Sequence, residues 1–282
     1  IKKRAGMLDK FVSVSVIIPC YCCVETIDRA VSSVMDQTVL PVELLLVDDA
    51  SSDNGRTITR LHELKMRYAN KTHIEIISLK TNGGPSVARN TGWDVATQPY
   101  IAFLDADDAW HPRKLEIQYN WMKTHPDVVL VGHLCVWARS HDHNPQLPAE
   151  WKAWKVSPLK LLLSNRFQTP SAMLYRNLPF RFIPDKRHCE DYFLWLQIVL
   201  RGYSAWRLEL PLAYFYKAPF GVDGLSKNLW KMEKGEMDSY WRLHLQGLMN
   251  KPVLFIVTVY SLLKYTRRII IKLSLFRFVW VI

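Results

Sequence analysis

Between Val14 and Val131 the chain alternates short apolar, β-branched runs with longer helix-compatible stretches, and this alternation constrains its fold more than any other feature. Strands are expected at Val14–Ile18, Val42–Val47, Ile74–Leu79, Tyr100–Leu104 and Val128–Val131, with helices between them. Runs that are apolar at every position need cover on both faces, which a mostly parallel sheet wound from right-handed βαβ units provides. The fold class expected is therefore α/β, a Rossmann-like sheet flanked by helices, with ligands at the carboxyl ends of its strands. At 282 residues and 49% hydrophobic, the chain can build one large α/β domain or two small ones. With 22% charged residues and a mean hydropathy of -0.06 it is neither a disordered tail nor a multi-span membrane protein.

Beyond Gly132 the pattern loosens. The polar, aromatic stretch Arg139 to Lys155 reads as a surface loop, followed by a helix at Leu159–Leu163, an extended piece at Ala172–Tyr175 and a helix at Asp191–Leu200. Further extended pieces are expected at Ala205–Arg207 and Leu212–Lys217. The end of the chain differs again: PVLFIVTVYSLL, residues 252–263, carries no charge and precedes basic residues interleaved with Ile, Leu, Phe and Trp. Six of the 11 net positive charges fall in residues 251–282, which hold no Asp or Glu. That apolar run is too short to span a bilayer, which takes about 20 residues. Lys264, Arg267 and Arg268 fall near one helical face, so residues 252–282 suit a helix lying on an anionic membrane surface; the alternative is a C-terminal helix packed on the body. No nucleic-acid partner is expected, because the basic residues crowd a Trp- and Ile-rich tail rather than a recognition helix. The run Val12–Ile18 is too short for an export signal and ends in a proline, while Cys20, Cys22 and Cys23 suit neither a disulfide framework nor a zinc knuckle. A reducing, cytoplasmic setting is expected, peripheral on the inner face of the plasma membrane.

Two of the expected strands end in acid. VELLLV runs into Asp48 and Asp49, and YIAFL into Asp105, Ala106, Asp107 and Asp108. Acidic clusters at the carboxyl ends of strands in one parallel sheet converge on one crevice, where they repel unless a cation or a donor-rich ligand joins them. Oxygen donors in a short Asp-x-Asp suit Mg²⁺ or Mn²⁺ bridging the phosphates of a nucleotide. The plainer account is that Asp caps the helix that follows, and Asp53 suits that role. A calcium loop starting at Asp105 fails, since Trp110 stands where glycine is required and Ala109 where a ligand is. Gly83 and Gly84 precede an expected helix, where free N–H groups and the helix dipole favour an anion; no Walker or dinucleotide fingerprint accompanies them. His141 and His143 flank an Asp in the polar loop and read as solvated.

Taken in order, VSVIIPCY (14–21), VELLLVDDASSDN, NGGPSVARNTG, YIAFLDADDAWHPRKLE and HCEDYFLWLQIVLRGY resemble the family 2 glycosyltransferases over residues 12–230. The resemblance implies a GT-A fold that binds a nucleotide-sugar, more often UDP- than GDP-linked, and transfers the sugar with inversion. It places a nucleotide-sugar-binding half at 1–110, an acceptor-binding half at 111–230 and a helical, basic, amphipathic tail at 231–282. It implies that Pro19 and Tyr21 line the base pocket, that Asp49 meets the base, and that Gly84, Arg89 and Asn90 belong to the donor site. Asp105 falls near the ribose and the ion, Asp107 on the ion and Asp191 at the acceptor as general base. Cys22 departs from the Asn common after that Tyr.

Inverting transfer needs a carboxylate for the acceptor hydroxyl's proton and a cation for the departing diphosphate, and Asp191 and Asp107 are the candidates. Asp191 opens a helix whose dipole favours its ionised form, though an N-cap is its other reading, and Glu190 is the alternative base. Trp110, Glu190, Lys217 and Ser226 are candidates for acceptor contact or for a lid over residues 216–228, which a plain connecting loop also explains. The expected reaction is non-processive transfer, since no Q-x-x-R-W run is present, onto a glycan or lipid-linked glycan. The contrasting expectation is a noncatalytic module of the same fold that binds sugar-nucleotide or carbohydrate.

Overall fold

A computed structural model describes residues 10–138, 146–216 and 228–279, with residues 273–279 as backbone only. One nine-stranded sheet organises the chain, in the order β3-β2-β1-β4-β8-β6-β9-β5, with β7 added against β9. The first four are β1 (Phe11–Cys20), β2 (Leu40–Asp48), β3 (His73–Ser78) and β4 (Tyr100–Phe103), and they pair in parallel throughout. The remaining strands are β5 (Ala109–Trp110), β6 (Val128–Trp137), β7 (Ala153–Lys155), β8 (Met173–Tyr175) and β9 (Ser204–Phe215). Here the sheet becomes mixed: β8 lies antiparallel to both β4 and β6, while β6 and β9 run parallel.

The two-residue period of the strands sorts their side chains into two cores. Val14, Val16, Ile18, Leu44 and Leu46 pack with Ile27, Val31 and Val34 of α1 (Ile27–Met35) and Leu61 and Leu64 of α2 (Arg56–Arg67). Ile17, Leu45 and Val47 face the other way, toward Ala88 and Trp93 of α3 (Pro85–Val95). A Cβ on Gly92 would stand 2.6 Å from Ile17, so only glycine lets α3 lie this close to β1. The helix α6 (Glu190–Leu200) is buried at every position from Tyr192 to Val199, which fixes its acidic first turn at the sheet's edge. The backbone enters it through Cys189 at φ +56. The helices α4 (Lys114–Thr124) and α5 (Pro158–Leu163) complete the layers.

Two expectations change. The stretch to Lys155 is not all loop, since Ala153–Lys155 pairs with Trp206–Leu208 of β9; and β9 is one strand with register shifts, not two pieces. His141 and His143 lie outside the described residues.

The end of the chain divides at Gly247, whose φ of +71 closes α7 (Leu229–Leu245) before α8 (Lys251–Val279) begins. Helix α8 buries Val257 and packs Val253 and Leu254 against the core. Its inner face carries Ser261 and Lys264, whose ammonium donates to Glu236 at 2.6 Å and to the Leu163 carbonyl at 3.2 Å. Its outer face exposes Phe255, Ile256, Leu263 and Ile270, each more than half exposed. Lys264 therefore does not share the outward face expected of it, because a buried carboxylate on α7 claims it. Among the described residues no helix is long and apolar enough to cross a membrane.

Candidate active site

Strands β1, β2 and β4 bring their carboxyl ends to one edge, and the loops beyond them are tied together by hydrogen bonds. Past Pro19, the Tyr21 hydroxyl lies 3.1 Å from that of Ser52. The Cys22 N–H donates to Ser51 Oγ at 2.9 Å, and that hydroxyl donates to Asp48 at 2.5 Å. Cys22 and Ala50 hold left-handed backbone, φ +45 and +51, which costs a non-glycine residue about 1–3 kcal/mol and concentrates at functional edges. Asp53 accepts from the Thr57 N–H and hydroxyl and so holds the first turn of α2.

Asp49 is 3% exposed and accepts from the Gly83 N–H at 2.8 Å and the Gly84 N–H at 2.7 Å. The sequence leaves those amides for an outside anion; the anion that meets them is this carboxylate. Burial pushes Asp49 above the usual carboxylate range, against the pull of the two N–H groups. It braces the loop bordering this edge of the sheet. Gly84, at φ +82, passes under Arg187, whose Nε would lie 3.8 Å from a Cβ there.

Arg89 is the hub between this edge and the second half of the sheet. From α3 its buried guanidinium donates to Asp105 at 2.7 Å and to Glu190 at 3.0 Å, and it lies over the Phe182 ring. Arg89, which the resemblance assigns to the donor site, faces inward and positions two carboxylates. The Asn90 amide and the Phe182 backbone exchange hydrogen bonds of 2.7 and 3.0 Å. Trp110 is no lid. It is 3% exposed, its indole N–H donates to the Pro170 carbonyl at 2.8 Å, and the Lys114 ammonium sits 3.7 Å from its ring centroid. Glu190 is buried on Arg89, while Lys217 and Ser226 lie outside the described residues.

Asp191 stands in the first turn of α6. Its Oδ1 accepts from the Tyr192 N–H at 2.6 Å; its Oδ2 accepts from Thr169 Oγ1 at 3.2 Å and Asn165 Nδ2 at 3.4 Å. Burial first, then the neighbouring Glu190 charge, push its carboxyl up to about 7, against the Tyr192 N–H, Arg89 and Thr169. A carboxylate poised there can take a proton near neutral pH.

Asp105 and Asp107 belong to the turn after β4, closed by the Asp108 N–H on the Asp105 carbonyl at 3.1 Å. The Asp107 carbonyl is held by Arg29 at 2.6 Å. Among the described residues no three His, Cys, Asp or Glu side chains form a metal cage. A pair of hard oxygen donors on one half-exposed turn fits a different arrangement, a divalent ion held by one or two carboxylates and by the phosphates of a substrate.

Residues 15–182 match the model of glycosyl transferase family 2. The chain belongs to glycosyl transferase family 2. It is 34% identical over 189 residues, 66% of its own length and 69% of the relative's, to the Escherichia coli UDP-Glc:alpha-D-GlcNAc-diphosphoundecaprenol beta-1,3-glucosyltransferase WfgD. Among solved structures it superimposes on S. aureus TarS 1-349 in complex with UDP-GlcNAc with a TM-score of 0.66, at 18% identity over 88% of this chain and 71% of that one. The mannosyltransferase PcManGT from Pyrobaculum calidifontis, in complex with GDP-Man and Mn2+, gives 0.64 at 19% identity over 97% of this chain and 79% of that one. The architecture is the GT-A fold, and the protein is a glycosyltransferase.

In this glycosyltransferase several residues outside the sequence expectations shape the site. Thr169 and Asn165 orient Asp191, Arg187 overhangs Gly84, and Ser86 Oγ donates to the Lys186 carbonyl at 3.1 Å, tying α3 to the segment before α6. The sequence signals none of these contacts, because each crosses between segments that only the fold brings together.

Proposed function

We propose that this glycosyltransferase moves a sugar, with inversion and one residue per encounter, from a UDP-sugar to a lipid-diphosphate-linked or other glycan acceptor at an anionic membrane face. The observation that carries this reading is Asp191: a carboxylate with a pKa raised to about 7, oriented by three donors and coupled through Glu190 and Arg89 to Asp105 on the donor edge. On this reading Pro19, Tyr21 and Gly84 border the nucleotide, and Asp49 shapes that pocket through the loop it braces. Asp191 takes the proton of the acceptor hydroxyl as its oxygen attacks the anomeric carbon from the face opposite the diphosphate. Asp107, with Asp105, would hold Mn²⁺ or Mg²⁺, and the ion when bound would offset charge on the departing diphosphate. Arg89 bridges Glu190 and Asp105. The exposed apolar face of α8, with Arg267 also exposed and no acid after residue 250, supports seating on an anionic bilayer. The relative WfgD, whose name gives UDP-Glc and a diphosphoundecaprenol-linked sugar, supports both the donor and the acceptor class.

The test is release of UDP from a panel of UDP-sugars with Mn²⁺, with and without glycosyl acceptors, for the parent and for Asp107→Ala. Donor-dependent release that Asp107→Ala lowers by about 10²-fold or more is expected. No release or transfer with any donor and acceptor would leave a noncatalytic binder of the same fold.

A further inference from the structure

Just before the Glu190–Asp191 pair, the segment Asp185–His188 and α7 enclose an open cavity of about 310 Å³. Its charge is one-sided. Lys186, almost fully buried, donates to the Gly235 carbonyl at 2.6 Å and to Asp238 at 2.7 Å. Arg242 pairs with Asp238 at 2.9 Å and with Asp185 at 3.2 Å, so both carboxylates of the lining are engaged. Arg187, Lys231 and Lys234 also line the cavity, and among the described residues none of them has a carboxylate partner. The Nδ1 of His188, in the same wall, is buried with no hydrogen-bond partner among those residues.

The wall is rigid as well as basic. Gly235 brings α7 so close that a Cβ there would stand 2.7 Å from the His188 carbonyl oxygen, and Cys189 Sγ donates to the Met232 carbonyl at 3.4 Å. From that held backbone Arg187, Lys231 and Lys234 reach toward solvent, and an arginine with two lysines suits a phosphate ester better than a lone carboxylate. The same segment runs directly into the first turn of α6. Arg187, which overhangs Gly84, stands four residues before the proposed base, so the cavity lies along the chain between the Gly83–Gly84 loop and Asp191.

We propose that this cavity binds a phosphate or diphosphate ester of the acceptor through Arg187, Lys231 and Lys234, and so presents the acceptor sugar to Asp191. The proposal rests on the transferase reading above.

Equilibrium binding to the full chain tests it with defined probes: α-N-acetylglucosaminyl diphosphate bearing a decyl chain, the same sugar as an uncharged decyl glycoside, a ribitol-phosphate oligomer, and UDP. The parent should prefer the diphosphate probe over the uncharged glycoside by about tenfold or more, and the preference should shrink with added salt. The exposed double substitution Lys231→Glu, Lys234→Glu should abolish that preference while UDP binding stays within about twofold, and Lys65→Glu on α2 should change neither. Binding of the ribitol-phosphate oligomer, lost in the same variant, would assign the phosphate to a polymer; binding of the decyl diphosphate alone would assign it to a lipid-linked acceptor. An unchanged preference in the double variant, or an equal loss of UDP binding, overturns the proposal. A parent that binds no UDP would defeat the transferase reading instead, and the diphosphate comparison would still report on the cavity.

Discussion

Replacing Arg89 with methionine keeps most of the side chain's length and removes the charge held between Asp105 and Glu190. The Arg89 side chain is 5% exposed and that of Glu190 is 11%, so neither group has water to fall back on, whereas Asp105 at 29% can turn to solvent. Breaking a buried pair by removing one partner costs about 3–5 kcal/mol, and the exposure of Asp105 puts the expected loss near the lower figure. In a chain of this size each kcal/mol lowers Tm by about 2–4 °C, so the variant should melt about 6–12 °C below the parent at pH 8. Without the cation, Glu190 and Asp191 repel each other unshielded. Asp191, pushed up to about 7, loses its charge below neutrality and with it that repulsion, so the gap between variant and parent should narrow by pH 5 and widen again above neutrality. Arg89→Lys, which restores charge without the two-pronged fork, should fall between them. Thermal melts of the three proteins at both pH values measure this. A drop under about 2 °C at pH 8, or a gap that does not change with pH, would refute Arg89 as the charge that holds this edge together.

Asp191 gives a pH dependence of definite sign. If it acts ionised, kcat/KM should rise with pH through about 7 and level above it, and a profile flat across that range would exclude it as the titrating group. Its folded pKa is raised above the unfolded value, so the native state holds a proton the unfolded chain has lost, and stability should fall as pH rises from about 4 to 7. Asp191→Asn should remove that fall. For the tail, Ile256→Glu with Leu263→Glu changes only the outward face of α8; it should abolish sedimentation with anionic vesicles while leaving Tm within about 2 °C. Vesicle binding that survives would move the contact away from this face. Deletion of the tail is a poorer test, since it also strips Lys264 from the buried Glu236.

The parallel half of the sheet was legible because strands covered on both faces must be apolar at every position, and β1, β2 and β4 have no other way to be buried. The second half was harder. Strands β5 and β7, with two and three residues, are too short for any period to show, and β9 carries Pro211 and irregular register within one strand. Acid at the ends of β2 and β4 was visible, yet what it touches was not. Asp49 on Gly83 and Gly84, and Arg89 between Asp105 and Glu190, are contacts across 16 to 101 residues that only the fold decides. Trp110 carried motif identity without exposure, and half-buried Asn90 turns its amide to the Phe182 backbone. The charge of the tail was countable, but the inward turn of Lys264 depends on Glu236 reaching it from another helix.

Asp191→Asn, assayed for both donor binding and sugar transfer, tests the central claim most directly. The substitution keeps shape and neighbours, so UDP-sugar affinity should stay within about twofold while transfer falls by about 10²–10⁴-fold. Transfer that persists, or donor binding lost in step with it, would contradict a reaction in which this carboxylate takes the acceptor's proton.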